Sequence, residues 1–277
     1  MRIPLGLALV GSLLLVPRSA LPGAAPNEAL EGLVRVIQDT TCPDEQRANA
    51  RGQLALQVTR GDEAAIERVL RLGREASNDN VRFHVAHILA QTRMGKSIVP
   101  PAHAKAAAEI LSKWFSAQDV GASVRLWAGI GLASLQDPSA LPLLKEKGLD
   151  GGSDPVIRVA VARALGGWRG PALAKEVVPL LLPLLKEKEW EMRVAGCDAL
   201  RLTELDSEET VEPLLEVARE ETDERVWRAA VFALRRLSGG ALTIPQGAED
   251  AERKQKLQVW ENAWRRKHKA AAAKEKE

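Results

Sequence analysis

The chain has 277 residues, with 39 Lys and Arg against 37 Asp and Glu and only two cysteines. A net charge of +2 gives the chain as a whole no drive to neutralise phosphates, which is the source of sequence-independent nucleic-acid binding, and two cysteines exclude a small disulfide-stapled module. A composition 45% hydrophobic, 27% charged and only 4% aromatic, rich in Ala, Leu, Glu, Lys and Arg, is that of packed helices.

The first predicted element is a leader. Arg2 precedes an uncharged, largely apolar run from Ile3 to Val16, then Pro17 and a small-residue stretch ending at Ala25. This is the form of a secretory signal, and the apolar run falls short of the roughly 20 residues that span a bilayer. Residues 1–25 are expected to be a signal peptide, which places the protein in the periplasm or outside the cell. Removing them takes away two basic residues, Arg2 and Arg18, and leaves 37 of each sign. Cys42 and Cys197 lie too far apart along a stacked array to be bridged, and export without disulfides points to a bacterial envelope.

From residue 26 to residue 240 the chain repeats itself. Six stretches of the form Val/Ile-Arg-x-x-Ala-x-x-Ala-Leu superimpose on Leu54, Leu89, Leu132, Leu165, Leu200 and Leu234, at intervals of 35, 43, 33, 35 and 34 residues. Such a period marks stacked supersecondary units, in which each unit contacts only its neighbours. The fourth unit shows the local logic. Asp137-Pro138 opens one helix, Gly148 to Ser153 stops it, and Asp154-Pro155 opens another, with Asp able to cap free amides and Pro suited to a first turn. Ile157, Val161, Ala164, Leu165 and Trp168 then recur at three- to four-residue steps, the period of one buried helical stripe.

Each unit is therefore a helical hairpin. The other first helices are read at Asn27 to Gln38, Asp62 to Ala76, His103 to Phe115, Ala174 to Lys188 and Ser207 to Thr222. The long interval places a protruding loop at Gly95 to Pro101, where Pro100-Pro101 forbids helix. Small residues at Ala50, Val85, Ala128, Val161, Gly196 and Ala230 suit close helix packing. After Gly239-Gly240, residues 241–248 read as a linker, and residues 249–277 as a capping helix with Leu257, Trp260 and Trp264 on one stripe. Its basic end, Arg265 to Lys269, is expected to fray into solvent.

The pattern resembles the HEAT-repeat family, in particular its short bacterial form with Asp-Pro-x-Val-Arg in the second helix. The resemblance implies an all-α solenoid of about six hairpins. It also implies a ladder of Arg47, Arg82, Arg125, Arg158 and Arg193, paired with Asp44, Asp79, Asp119, Asp154 and Glu189; the sixth unit departs, with Trp227 in the Arg position and Arg228 beside it. Functionally the family is mostly an interaction scaffold, and its relatives include bilin lyases acting on phycobiliproteins and DNA-binding alkylpurine glycosylases. Here residues 26–248 hold 28 basic and 31 acidic residues, which speaks against DNA.

Candidate sites follow from that frame. The residues after the ladder positions, Phe83, Leu126, Val159 and Val194, with Arg228 at the end, would line a groove on the concave face built by the second helices if they do not pack between repeats. His84 and His87 share a helix face with them. Two imidazoles fall short of the three or four ligands that zinc requires, and no His-Glu-x-x-His pattern or glycine-rich phosphate loop occurs. The sequence thus predicts an exported, monomeric, non-enzymatic scaffold without cofactor, metal or nucleic acid, binding a protein or peptide.

Overall fold

The computed structural model describes residues 26–93, 96–168, 170–239, 242–245 and 247–274. The expected signal peptide at 1–25 lies outside the described residues, as do Gly95, residues 241 and 246 of the expected linker and the tail at 275–277. The described chain is an all-α solenoid of helical hairpins. The first three are α1 (Pro26–Gln38) with α2 (Asp44–Thr59), α3 (Glu63–Glu75) with α4 (Asp79–Leu89), and α5 (Pro101–Ser116) with α6 (Ala122–Ser134). The fourth pairs a short α7 (Leu141–Leu143) with α8 (Pro155–Gly166), the fifth α9 (Pro171–Leu181) with α10 (Trp190–Leu202), and the sixth α11 (Glu208–Glu220) with α12 (Glu224–Leu237). A single long helix, α13 (Asp250–Lys274), closes the array.

Local chemistry sets these boundaries. The carboxylates of Asp62, Asp137, Asp154 and Asp223 and the amide oxygen of Asn78 each accept a backbone N–H from the first turn of the helix that follows, a cap worth about 1 kcal/mol apiece. Pro138, Pro155 and Pro171 occupy first turns, where a missing N–H costs nothing.

Two first helices differ from the expectation of a regular rod. In the fourth hairpin α7 is one turn between a 3-10 turn (Pro138–Ala140) and a π turn (Leu144–Leu149). Pro142 cannot donate to the carbonyl four residues back, so the α ladder cannot propagate through it. In the fifth, α9 contains Pro179 and tightens into a 3-10 turn at Leu182–Lys186, which contains Pro183. The loop expected to protrude at Gly95 to Pro101 also needs correction. Two-residue strands β1 (Thr92–Arg93) and β2 (Lys96–Ser97) pair antiparallel, Thr92 opposite Ser97. Ile98 and Val99 then turn inward and are buried, and Pro101 already starts α5; apolar side chains win the placement that the prolines alone do not decide.

The core runs as one seam along the array because each second helix packs on the next, α2 on α4, α4 on α6, α6 on α8, α8 on α10 and α10 on α12. Side chains must be small for that. A Cβ at Gly166 would stand 2.8 Å from Ala199 Cα, and one at Gly129 would stand 2.9 Å from Val161 Cγ2. Larger residues tie the units elsewhere: Trp168 is fully buried and its Nε1 donates to Ala133 O at 2.6 Å, joining the fourth unit to the third. Cys197 is sealed within this seam on α10, whereas Cys42, in the α1–α2 turn, is half-exposed; both are free thiols.

At the C-terminal end α13 lies against α11. Leu257, Trp260 and Trp264 are buried, with Trp264 Nε1 donating to Asp206 at 2.7 Å and Trp260 Nε1 to Ser238 Oγ at 3.2 Å. The expected fraying of the basic end does not describe its first residues. Arg265 pairs with Glu212 and Glu261, His268 stands 3.1 Å from Asp206, and the helix continues to Lys274. No helix among the described residues is long and apolar enough to cross a membrane.

Candidate functional site

The ladder arginines sit near the start of each second helix and turn toward the end of the first. Arg47 donates to the carbonyls of Asp39 and Thr40 (3.3 and 3.1 Å), Arg82 to Ala76 (3.4 Å), Arg158 to Leu149 (3.0 Å), and Arg193 to Glu187 and Lys188 (2.8 and 2.7 Å). A guanidinium at that point meets the negative end of the first helix and its unpaired carbonyls.

The carboxylates they pair with are only partly those expected. Arg47 does pair with Asp44, and Arg82 with Asp79 at 3.0 Å. Arg158 reaches forward into the next unit to Glu187 while Asp154 caps α8, and Arg193 likewise reaches forward to Glu221 at 2.7 Å. Arg125 forms no ion pair with Asp119 among the described residues, and its Nε is buried without a hydrogen bond there. Asp79 carries the link forward in that part of the array by accepting the Gly121 N–H at 2.7 Å. The sixth unit, where Trp227 replaces the arginine, borrows one from α13. Arg253, nearly buried, donates to the carbonyls of Glu221 and Arg219 (3.0 and 3.1 Å), pairs with Asp250, and lies 5.0 Å from the centre of the Trp227 ring. The ladder is thus completed from outside the repeat.

The residues next to the ladder do not form the open apolar stripe that their register suggests. Phe83, Leu126 and Val159 are half-buried and packed against the core, Val194 is half-buried, and Arg228 is held by Glu224 at 2.6 Å. His84 is buried.

What gathers on the second-helix face is a mixed cluster from three consecutive units. Phe83 makes an edge contact with His84 (5.3 Å between centroids), and His87 lies 4.0 Å from the Trp127 ring of α6. Arg51 of α2 places Nη1 3.5 Å from His84 Nδ1 and its guanidinium carbon 5.5 Å from the Phe83 centroid. Since arginine only donates, His84 Nδ1 must accept, which leaves the neutral tautomer with its proton on Nε2. Gln91 Nε2 stands 3.3 Å from His87 Nδ1, and donation there fixes the same tautomer.

Electrostatics keep both rings neutral. Burial first, and then the charge of Arg51, push His84 and His87 down to about 4. Burial also lowers Arg51 from its ordinary value. The cluster offers N–H donors, one cation and two π faces, which is chemistry for recognition. No group of three or more His, Cys, Asp or Glu among the described residues is arranged to hold a metal.

Sequence reasoning placed His84, His87 and Phe83 here and missed Arg51 and Trp127. Aligning the units on their ladder positions would have found Trp127, the register equivalent of His84, but not Arg51, whose equivalents are Ala86, Gly129, Ala162 and Cys197.

Further along the same face charge dominates. Asp198 accepts from Arg163 at 2.9 Å and has Arg201 at 3.8 Å, and Phe232, half-exposed, stands between Arg201 and Arg235 (5.1 and 5.9 Å). A shallow cleft of about 160 Å³ forms where Leu242, Thr243 and Ile244 cross α12. On the opposite side a larger cleft of about 390 Å³ opens between the fifth and sixth first helices, floored by Leu182, Leu185, Pro213 and Val217 and rimmed by Glu216 and Glu220.

Comparison with known proteins bears on the fold. The family model described as HEAT repeats matches residues 146–235, which are therefore HEAT repeats. The crystal structure of the Escherichia coli protein YibA resembles this chain with a TM-score of 0.50 at 19% identity, over 78% of each chain. A designed armadillo repeat protein solved with the peptide (KR)4 gives 0.45 at 18% identity, over 74% of this chain and 99% of that one. Human deoxyhypusine hydroxylase gives 0.35 at 16%, over 86% and 96%. No curated protein matches the sequence.

Proposed function

We propose that this array of HEAT repeats is an exported, non-enzymatic scaffold, monomeric in the periplasm or outside the cell, whose second-helix face captures a segment of another protein. The observation that carries the reading is the half-buried cluster of Phe83, His87, Trp127 and Arg51, which spans three successive units and brings π faces and hydrogen-bond donors together at one surface. Aromatic and Arg side chains are the types that dominate binding energy at protein interfaces. A nucleic-acid role has less support, because Arg47, Arg82, Arg158 and Arg193 of the regularly spaced series are bound to carbonyl oxygens and carboxylates and are not free for phosphate.

Affinity capture of the tagged chain from its own cell envelope tests this. A specific protein should co-purify, and the double substitution Phe83→Ala with Trp127→Ala should abolish its recovery while helix content is retained. Recovery unchanged in that variant would move the site elsewhere. Retention of Met1 on the native protein would rule out a cleaved leader.

A further inference from the structure

Arg51 is unusual among the arginines of the second-helix face. Arg163 and Arg201 share Asp198, Arg225 pairs with Asp223, and Arg228 with Glu224. Arg235 has no carboxylate within 4 Å among the described residues, but it is exposed and water solvates it. Arg51 has none either, nor has the half-buried ladder residue Arg125, but the half-buried Arg51 has His84 Nδ1 at 3.5 Å and the face of Phe83 as its immediate partners. The nearby Asp44 carboxylate is taken by Arg47. A guanidinium withdrawn from water with no counter-ion is costly unless something pairs with it.

The surroundings specify what that something is. Of the five N–H donors of Arg51 one is directed at His84, and the neutral tautomers fixed by Arg51 and Gln91 leave an Nε2–H donor on each imidazole. The cluster is rich in donors and positive. A carboxylate complements it, accepting two guanidinium N–H bonds in parallel. The flanking Phe83 and the tilted His87–Trp127 pair offer π surface to an apolar neighbour of that carboxylate.

We infer that Arg51 is the docking point for an Asp or Glu side chain of the captured protein segment, with an aromatic or aliphatic residue beside it lying on Phe83 and Trp127. This rests on the reading that the second-helix face binds a protein. It adds the chemistry of the recognised sequence: an acidic residue adjoining an apolar one.

The test uses the full chain and a fluorescein-labelled peptide, Gly-Ser-Phe-Glu-Ser-Gly, with fluorescence anisotropy as readout. A hydrogen bond to a charged group is stronger than one between neutral groups, so replacing Glu by Gln in the peptide should weaken binding about tenfold or more. Arg51→Gln should erase that Glu/Gln difference, and Arg51→Lys, a point charge without the planar fork, should retain only part of it. Equal binding of the Glu and Gln peptides, no binding of either up to millimolar concentration, or an undiminished preference in Arg51→Gln would each overturn the inference. The peptide change leaves the protein untouched, so a folding defect in a variant cannot mimic the result. If capture of the envelope partner is lost in the Phe83/Trp127 double variant but unchanged in Arg51→Gln, the binding face stands and the carboxylate site falls.

Discussion

His84 and His87 hold their protons weakly because burial and the Arg51 guanidinium oppose a further positive charge. Their folded-state values of about 4 lie below the ordinary 6.5, so the unfolded chain binds more protons once the pH drops below 6.5. The stability contributed by the neutral rings is complete above pH 6.5 and is lost as the pH falls through 4. The urea midpoint should decline across that window, and His84→Gln, which keeps a side-chain acceptor for Arg51, should flatten the decline. A second prediction at this scale concerns Arg253. Arg253→Met keeps much of the stem but leaves the carbonyls of Arg219 and Glu221 without their donor, a loss of about 1–3 kcal/mol in urea unfolding. Trp227→Arg in the same chain should recover part of it by restoring the ladder's own arginine. The series of second-helix arginines was legible from the repeat, because each recurs at fixed register. Their partners were not. Glu187, Glu221 and Arg253 come from neighbouring units or from α13, and a periodic pattern says nothing about which carboxylate a long side chain will reach. Arg51 escaped for a related reason: its importance lies in contacts with His84 and Phe83 of the next unit.

A helix pair with regular stripes, α3–α4, follows the sequence closely because its capping residues Asp62 and Asn78 and its apolar spacing agree. The first helices of the fourth and fifth hairpins broke from it where Pro142, Pro179 and Pro183 remove donors. Apolar patterning still carried the burial, since Leu144, Leu181 and Leu184 are enclosed despite the irregular backbone. The second helices tolerate less variation. Gly166→Ala would press a methyl group onto the α10 backbone at Ala199, and forcing α8 from α10 should cost about 1–3 kcal/mol. Gly52→Ala, on α2 with nothing within 4 Å of the added atom, should instead stabilise by about 0.5–1 kcal/mol. Thermal unfolding of the two variants should shift in opposite directions. Equal shifts would mean that contact between second helices does not set the packing limit.

In an array whose units touch only their neighbours, the ends decide how unfolding begins. Leu257, Trp260 and Trp264 cover the last hairpin, so a chain ending at Ser238 should lose cooperativity, with hydrogen exchange in α11 and α12 accelerating well before that in α4. The number and order of hairpins was readable from the period, and the cap from its apolar stripe; the pinning of Arg265 and His268 onto the sixth unit was not, because a run of like charges reads as solvated until its carboxylates are known. The same linear arrangement gives the two thiols distinct addresses. Cys42 lies in the first turn of the array, half-open to reagent, and Cys197 is enclosed in the fifth unit, where burial pushes its thiol well above the ordinary range. The molecule therefore carries its own pair of chemical clocks: alkylation at Cys42 keeps time with the surface of the native state, and alkylation at Cys197 ticks only when the seam between α8, α10 and α12 comes apart.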